Sequence, residues 1–305
     1  MKIGFVFSGQ GAQKVGMGKD LCEGSEAAAG IFKEADEVLG WSVSDLCFNG
    51  PEEKLKESKY CQPAIYTMSV ACLAAFQEKH PAVRQEANGG LSLGEFAALC
   101  ASGVYSFADG LQLVAKRGEL MDAACKNTNG GMASVLGGEI EVIKEVCEQS
   151  DIDVANYNCP GQIVISGEKE KVDTAVVELK ERGLKRVIPL AVAGAFHSRL
   201  MAGAGEEFAS VLADTELHAP EVTLMQNFPG KAVADVAELK SNLVSQVAGS
   251  VRWEECVREM IAQGVDTIVE FGPGAVLTGL AKRTDRSLKL FNVNSIETLA
   301  KFSAE

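Results

Sequence analysis

The chain has 305 residues, 47% of them apolar, and its 29 Lys+Arg against 42 Asp+Glu leave a net charge of −13. That length suits one large domain, or a large and a small one around a sizeable core, and the acidic balance argues against nucleic acid as a partner because phosphates would be repelled. No run of about eighteen apolar residues occurs, so no membrane partner or span is expected; residues 1–7 read as a strand instead of a signal sequence, which makes cytoplasmic placement the default. The nine cysteines, Cys22 to Cys256, are scattered and form no Cys-x-x-Cys pair. They read as small buried side chains, with no metal and no cofactor called for.

In chain order, strand 1–7 runs into the glycine-rich loop Ser8-Gly9-Gln10-Gly11-Ala12-Gln13-Lys14-Val15-Gly16-Met17-Gly18. A dinucleotide fingerprint needs glycine where Lys14 stands, and a Walker loop needs Lys-Ser/Thr where Met17-Gly18 stands, so a phosphate cradle is disfavoured. Gln10 and Gln13 fall where a strand would carry them to a sheet's carboxyl edge. Their amides could donate to a substrate oxygen there, or simply face water. Helical spacing follows over 26–39 and 52–58, and again over 62–75, where Pro63 reads as a first-turn residue.

Residues 84–90 make a poor strand by composition. Immediately after stands Gly90-Leu91-Ser92-Leu93-Gly94, opening an Ala/Leu-rich helical run. This is the pattern of a nucleophile elbow, in which flanking glycines tolerate a sharp turn and the helix start offers free N–H groups to an oxyanion. In the next helix, 107–124, Arg117 has Leu113 and Val114 one turn before it and Leu120 and Met121 one turn after. An inward guanidinium needs an anion, either an internal carboxylate or that of a substrate.

Residues 127–131 look like a linker. Beyond it the pattern reads strand 132–136, helix 139–148, strands 153–156 and 162–166, helix 169–182 and strand 185–190. A β-α-β-β-α-β order is the ferredoxin-like plan. The expected fold is therefore α/β: an α/β-hydrolase-like large lobe with a parallel sheet, formed by 1–126 and 192–305, with a ferredoxin-like small lobe, 127–191, inserted into it. On the return stands Ala193-Gly194-Ala195-Phe196-His197-Ser198. Of three histidines, His80 and His218 lie one or two residues from a proline, in expected loops, which leaves His197 as the best base for Ser92. Strand 265–271 then ends in Gly272-Pro273-Gly274, and a basic cluster follows at Lys282, Arg283, Arg286 and Lys289.

Taken together, these stretches resemble the malonyl-CoA:acyl carrier protein transacylases. The resemblance rests on Gly9-Gln10-Gly11-Ala12-Gln13, Gly90 to Glu95, Lys116-Arg117-Gly118, the stretch from Asn156 to Gln162, and Gly194 to Ser198. It extends through Gln246 before Val251-Arg252-Trp253, and Glu270 to Gly274. It implies malonyl transfer from malonyl-CoA to the phosphopantetheine thiol of acyl carrier protein, with Ser92 as nucleophile and His197 as base. It further implies an oxyanion hole from the N–H groups of Leu93 and Gln10, a main-chain carbonyl at Gln246 orienting the histidine, Arg117 pairing the malonyl carboxylate, and Phe196 as a malonyl-type selector. Two positions depart from the family: Leu91 replaces the usual histidine before the serine, and Ser8 replaces a proline. The carrier is expected near Lys282, Arg283, Lys185 and Arg186. The rival readings are a serine esterase or lipase, for which Asp109, Asp122, Asp151, Asp153 or Asp173 would supply the acid, and an idle carrier-docking protein.

Overall fold

The structure is a computed structural model describing residues 1–303; positions 304–305, assigned above to the large lobe, lie outside the described residues. Ten strands form two sheets: β1 Ile3–Phe7, β2 Ala87–Gly90, β3 Gly130–Leu136, β4 Asp153–Cys159, β5 Gln162–Glu168, β6 Arg186–Pro189, β7 Thr223–Gln226, β8 Lys231–Ala232, β9 Thr267–Phe271 and β10 Lys289–Val293. The larger sheet runs β10-β9-β1-β2-β7-β8. Its first five strands are parallel, and β8 pairs antiparallel with β7. A parallel strand covered on both faces has no polar side, and β1, Ile-Gly-Phe-Val-Phe, is buried throughout.

The weak stretch before the serine is a strand after all. Ala87-Asn88-Gly89-Gly90 lies between β1 and β7, fully buried. Composition misleads here because the site needs the absence of side chains: a Cβ on Gly89 would come within 2.6 Å of the Met260 methyl, and one on Gly90 would fall on the backbone of Gly94. Backbone pairing on both edges holds what β-propensity does not.

The smaller sheet is antiparallel, ordered β4-β5-β3-β6. Helices Ile140–Gln149 and Lys169–Glu181 cover it through a core that includes Ile143, Val146, Ile165, Val172 and Leu179. This is the ferredoxin-like plan, inserted between β2 and β7 of the parallel lobe. Strand β4 runs three residues past its expected end because its bulged ladder with β5 continues through Cys159 and Gln162, and β5 runs two past its own because Gly167 and Glu168 pair with Gly131 and Gly130 of β3.

Two local expectations are corrected. Helix Ser58–Lys79 begins four residues before Gln62, so Pro63 lies inside it instead of in its first turn. The early turn is held from outside: Gln10 Nε2 donates to Ser58 Oγ at 3.1 Å, and Cys61 is buried. Nor is 127–131 a linker. Helix Phe107–Asn127 reaches Asn127, and Gly130 already begins β3, packed so closely on the 194–195 segment that a Cβ would collide with Ala195 N.

Reciprocal bonds join the lobes: Tyr157 N donates to Val251 O, Val251 N donates to Ala155 O, and both are 2.8 Å. Arg283, expected on a carrier-docking face, is engaged here. It donates to Gln162 Oε1 at 2.8 Å and to the carbonyls of Pro160 and Gly161. Among the described residues no helix is long and apolar enough to cross a membrane.

Candidate active site

Parallel strands deliver their carboxyl ends to one edge of the sheet, where successive loops diverge into a crevice. Here β1 leads into Ser8-Gly9-Gln10, β2 into Leu91-Ser92-Leu93 and β7 into Asn227. Ser92 adopts φ 52°, in the left-handed region, a conformation of the kind that costs roughly 1–3 kcal/mol for a residue with a Cβ. Asn227 holds the turn from both sides: its Oδ1 accepts from Ser92 N at 2.6 Å, and its Nδ2 donates to Gly90 O at 2.8 Å. The flanking glycines are obligatory because a Cβ on Gly94 would fall on the Phe7 carbonyl. Helix Gly94–Ala101 starts two residues beyond the serine. Among the described residues no acceptor takes the backbone N–H of Leu93 or of Gln10.

His197, also at positive φ (55°) and buried, arrives from the segment that returns from the small lobe. Its Nε2 lies 2.7 Å from Ser92 Oγ and its Nδ1 lies 2.8 Å from the Gln246 carbonyl. A carbonyl can only accept, so Nδ1 carries the proton and Nε2 is left as the acceptor. Burial first, and the Arg117 charge second, push His197 down to about 4. The imidazole is therefore neutral at neutral pH.

The five aspartates that an esterase triad could use are engaged elsewhere. Asp109 takes Ser106 Oγ, Asp122 takes Lys126, Asp173 takes Lys169, and Asp151 and Asp153 hold Arg199. His197 is oriented by a neutral carbonyl.

Arg117 is 1% exposed. Its Nη1 donates to Gln62 Oε1 at 2.7 Å, and its Nη2 donates to Gln246 Oε1 at 2.9 Å and to Ser92 Oγ at 3.1 Å. Nε has no partner among the described residues, and none of their carboxylates forms an ion pair with the guanidinium. The internal ion pair weighed from the sequence is thus absent as a direct contact. Burial lowers Arg117 to about 10, while the charge of Glu95 works in the other direction.

A cavity of about 770 Å³ opens over this array. Gln10, Gln62, Leu91, Ser92, Phe196 and His197 line its lower part; Met132, Asn156, Asn158, Val164 and residues 190–193 line its upper part. Arg117 is absent from the wall and sits one hydrogen bond behind the serine. The Gln10 side chain also does less than expected, since it is tied to Ser58 and accepts from Gln62 Nε2 at 3.2 Å. Gln13 turns its amide oxygen to Gly11 N. Of the two departures, Leu91 joins the cavity wall, and Ser8 is buried, with its hydroxyl directed to Glu270, Phe271 O and Pro273 O.

Sequence reasoning missed Asn227 and Gln62, and it named Glu95 only as part of a motif. Glu95 was open to discovery, because an acid inside an apolar run with a helical period falls on a buried face. Asn227 carried no local signal.

The Acyl transferase domain family model matches residues 4–302. A curated relative from Bacillus subtilis, a malonyl CoA-acyl carrier protein transacylase, is 42% identical over 98% of this chain and 95% of its own length. An acyl carrier protein S-malonyltransferase structure from Vibrio cholerae superposes with a TM-score of 0.94 at 39% identity, covering 98% of this chain and 99% of that one. A malonyl-transacylase solved in complex with a type II PKS acyl-carrier protein superposes at 0.95 with 37% identity, and 98% of each chain is covered.

Proposed function

The chain belongs to the acyl transferase family, and on that premise we propose that it moves a malonyl group from malonyl-CoA to the phosphopantetheine thiol of acyl carrier protein through an ester on Ser92. The named substrates of its relatives support the choice of donor and acceptor. The observation that carries the reading is one unbroken chain of hydrogen bonds: Arg117 donates to Ser92 Oγ, Ser92 Oγ to His197 Nε2, and His197 Nδ1 to the Gln246 carbonyl.

Each link has a chemical consequence. His197 Nε2 takes the hydroxyl proton as Ser92 Oγ attacks the thioester carbon, and the oxyanion meets the free N–H groups of Leu93 and Gln10. The tetrahedral intermediate then expels the CoA sulfur, which receives the proton from Nε2. The second half runs in reverse, with the carrier's thiol giving its proton to His197 and attacking the serine ester. Arg117 beside Oγ favours the anionic oxygen throughout. It is also the cation for the free malonyl carboxylate, which reaches it as Gln62 gives up its bond to Nη1 of the guanidinium; Phe196 bounds the space beside the acyl group. An acetyl group has nothing to offer that cation.

Fatty-acid synthesis as the setting, cytoplasmic placement, the division into lobes at 127 and 191, and the lack of nucleic-acid or membrane partners belong to the same proposal. The test is incubation with malonyl-CoA followed by intact-mass measurement, then addition of phosphopantetheinylated carrier. One malonyl adduct, missing in Ser92→Ala and discharged to carrier faster than to water, is expected. Discharge to water at an equal rate would make the protein a hydrolase, and no adduct at all would make it an idle docking protein.

A further inference from the structure

Behind the serine lies a carboxylate that the steps above do not use. Glu95 is fully buried, and every group bonded to it among the described residues is a donor: Asn227 N at 2.8 Å and Gln246 Nε2 at 3.0 Å to Oε2, and Gln226 Nε2 at 3.1 Å to Oε1. Burial, acting against these donors and the Arg117 charge, leaves this carboxyl raised to about 7. A set of donors without an acceptor matches the ionised acid, since a protonated one would have no group to receive its O–H.

Gln246 stands between this anion and the guanidinium. Its Oε1 accepts from Arg117 Nη2 at 2.9 Å, and its Nε2 donates to Glu95 Oε2 and, at 3.0 Å, to Ser92 O. With an anion at one end and a cation at the other, only one orientation of the amide is satisfied. We propose that Glu95 is a positioning residue which, through the Gln246 amide, aims Arg117 at the free carboxylate of the acyl group and so sets the preference for a diacid thioester over a monoacid one. A direct Glu95–Arg117 pair would neutralise the cation before substrate arrived. The interposed amide transmits orientation while leaving that charge to be paired. This inference rests on the malonyl-transfer reading.

Glu95→Gln keeps the volume and one acceptor oxygen but removes the charge, so the Gln246 amide loses the anion that fixes its orientation toward Arg117. The measurement is kcat/KM for acylation by malonyl-CoA and by acetyl-CoA in wild type, Glu95→Gln and Glu95→Asp. The malonyl-to-acetyl ratio should fall roughly tenfold in Glu95→Gln, as for one lost charge-assisted bond. The fall should come mainly through the malonyl KM, with part of the ratio restored in Glu95→Asp. Equal losses for both donors, or an unchanged ratio, would reduce Glu95 to a structural acid and overturn the proposal. Gln246→Leu, which keeps the carbonyl for His197 but removes the amide, should lower the ratio in the same way even where Glu95→Gln fails to fold; a preserved ratio there also overturns it. Absence of any malonyl preference in wild type would remove the reading and this inference together, whereas a preference that survives in both variants removes the inference alone.

Discussion

The lower and upper walls of the cavity are built in opposite ways. Below, the parallel lobe supplies Gln62, Ser92 and His197 to the wall and, behind them, Arg117, Gln246, Glu95 and Asn227, all joined in one hydrogen-bonded network, most of it buried. Above, the ferredoxin-like lobe and the segment returning from it supply Met132, Val164, Leu190 and Val192, the last two 37% and 39% exposed. Asn158, on the same wall, keeps an amide oxygen without a partner among the described residues. A satisfied polar network in low dielectric fixes atoms to within fractions of an ångström, as bond-making requires. An apolar wall with few directional contacts admits a long, flexible thioester arm without prescribing its pose. Chemistry belongs to one wall and accommodation to the other.

The comparison breaks most visibly at the serine. Ser92→Ala or His197→Ala should lower carrier malonylation by about 10⁴-fold or more while leaving carrier affinity within about twofold, read from stopped turnover and binding titration. A buried base gives the next largest signal. An ordinary histidine, at 6.5, would be about 3% neutral at pH 5. His197, held near 4 by burial, stays mostly neutral there, so the acylation rate at pH 5 under saturating malonyl-CoA, where a KM effect from protonated Glu95 drops out, should exceed that expectation by roughly thirtyfold. Its acid limb should appear only as pH falls through about 4, because protonation removes the base; a limb at 6.5 would contradict the assigned burial.

Asn227→Ala tests whether the lower wall is rigid by design. It leaves Gly90 O buried, and Ser92 N half-buried, without the side-chain partner each now has, which should cost about 1–3 kcal/mol in urea unfolding and slow acylation about tenfold. The smallest effect belongs to the upper wall. Leu190→Ser with Val192→Ser should shift stability by no more than ~0.5 kcal/mol and raise the acceptor KM about threefold, with acylation by malonyl-CoA unchanged. A large acylation defect from that pair would mean that the two walls are not separate in function.

The elements legible in the sequence were those whose causes are local. The ferredoxin-like insert follows from alternation and amphipathic spacing within some sixty residues, and the parallel lobe's helices from apolar period. Strand β2 escaped because Gly89 answers to the Met260 methyl, a neighbour that no window contains, and because its ladder partners β1 and β7 are distant in the chain. The start of helix Ser58–Lys79 escaped for a similar reason, since its first turn is held by Gln10 from another loop.

By itself the sequence determined the elbow, because the Gly-x-Ser-x-Gly pattern is contiguous and the close approach of Gly90 to Gly94 lies within its own turn, while Gly94 answers as well to the distant Phe7 carbonyl. It also determined the rarity of histidine that singles out His197, and the placing of Arg117 on an apolar helix face. Tertiary structure alone decided what those groups are bonded to. The histidine is oriented by a carbonyl 49 positions away, the serine amide is held by an asparagine 135 positions away, and the guanidinium is separated from Glu95 by a glutamine amide. Hydrogen bonds of that reach depend on where loops from different strands converge at the sheet's edge, and that convergence exists only once the strands are paired.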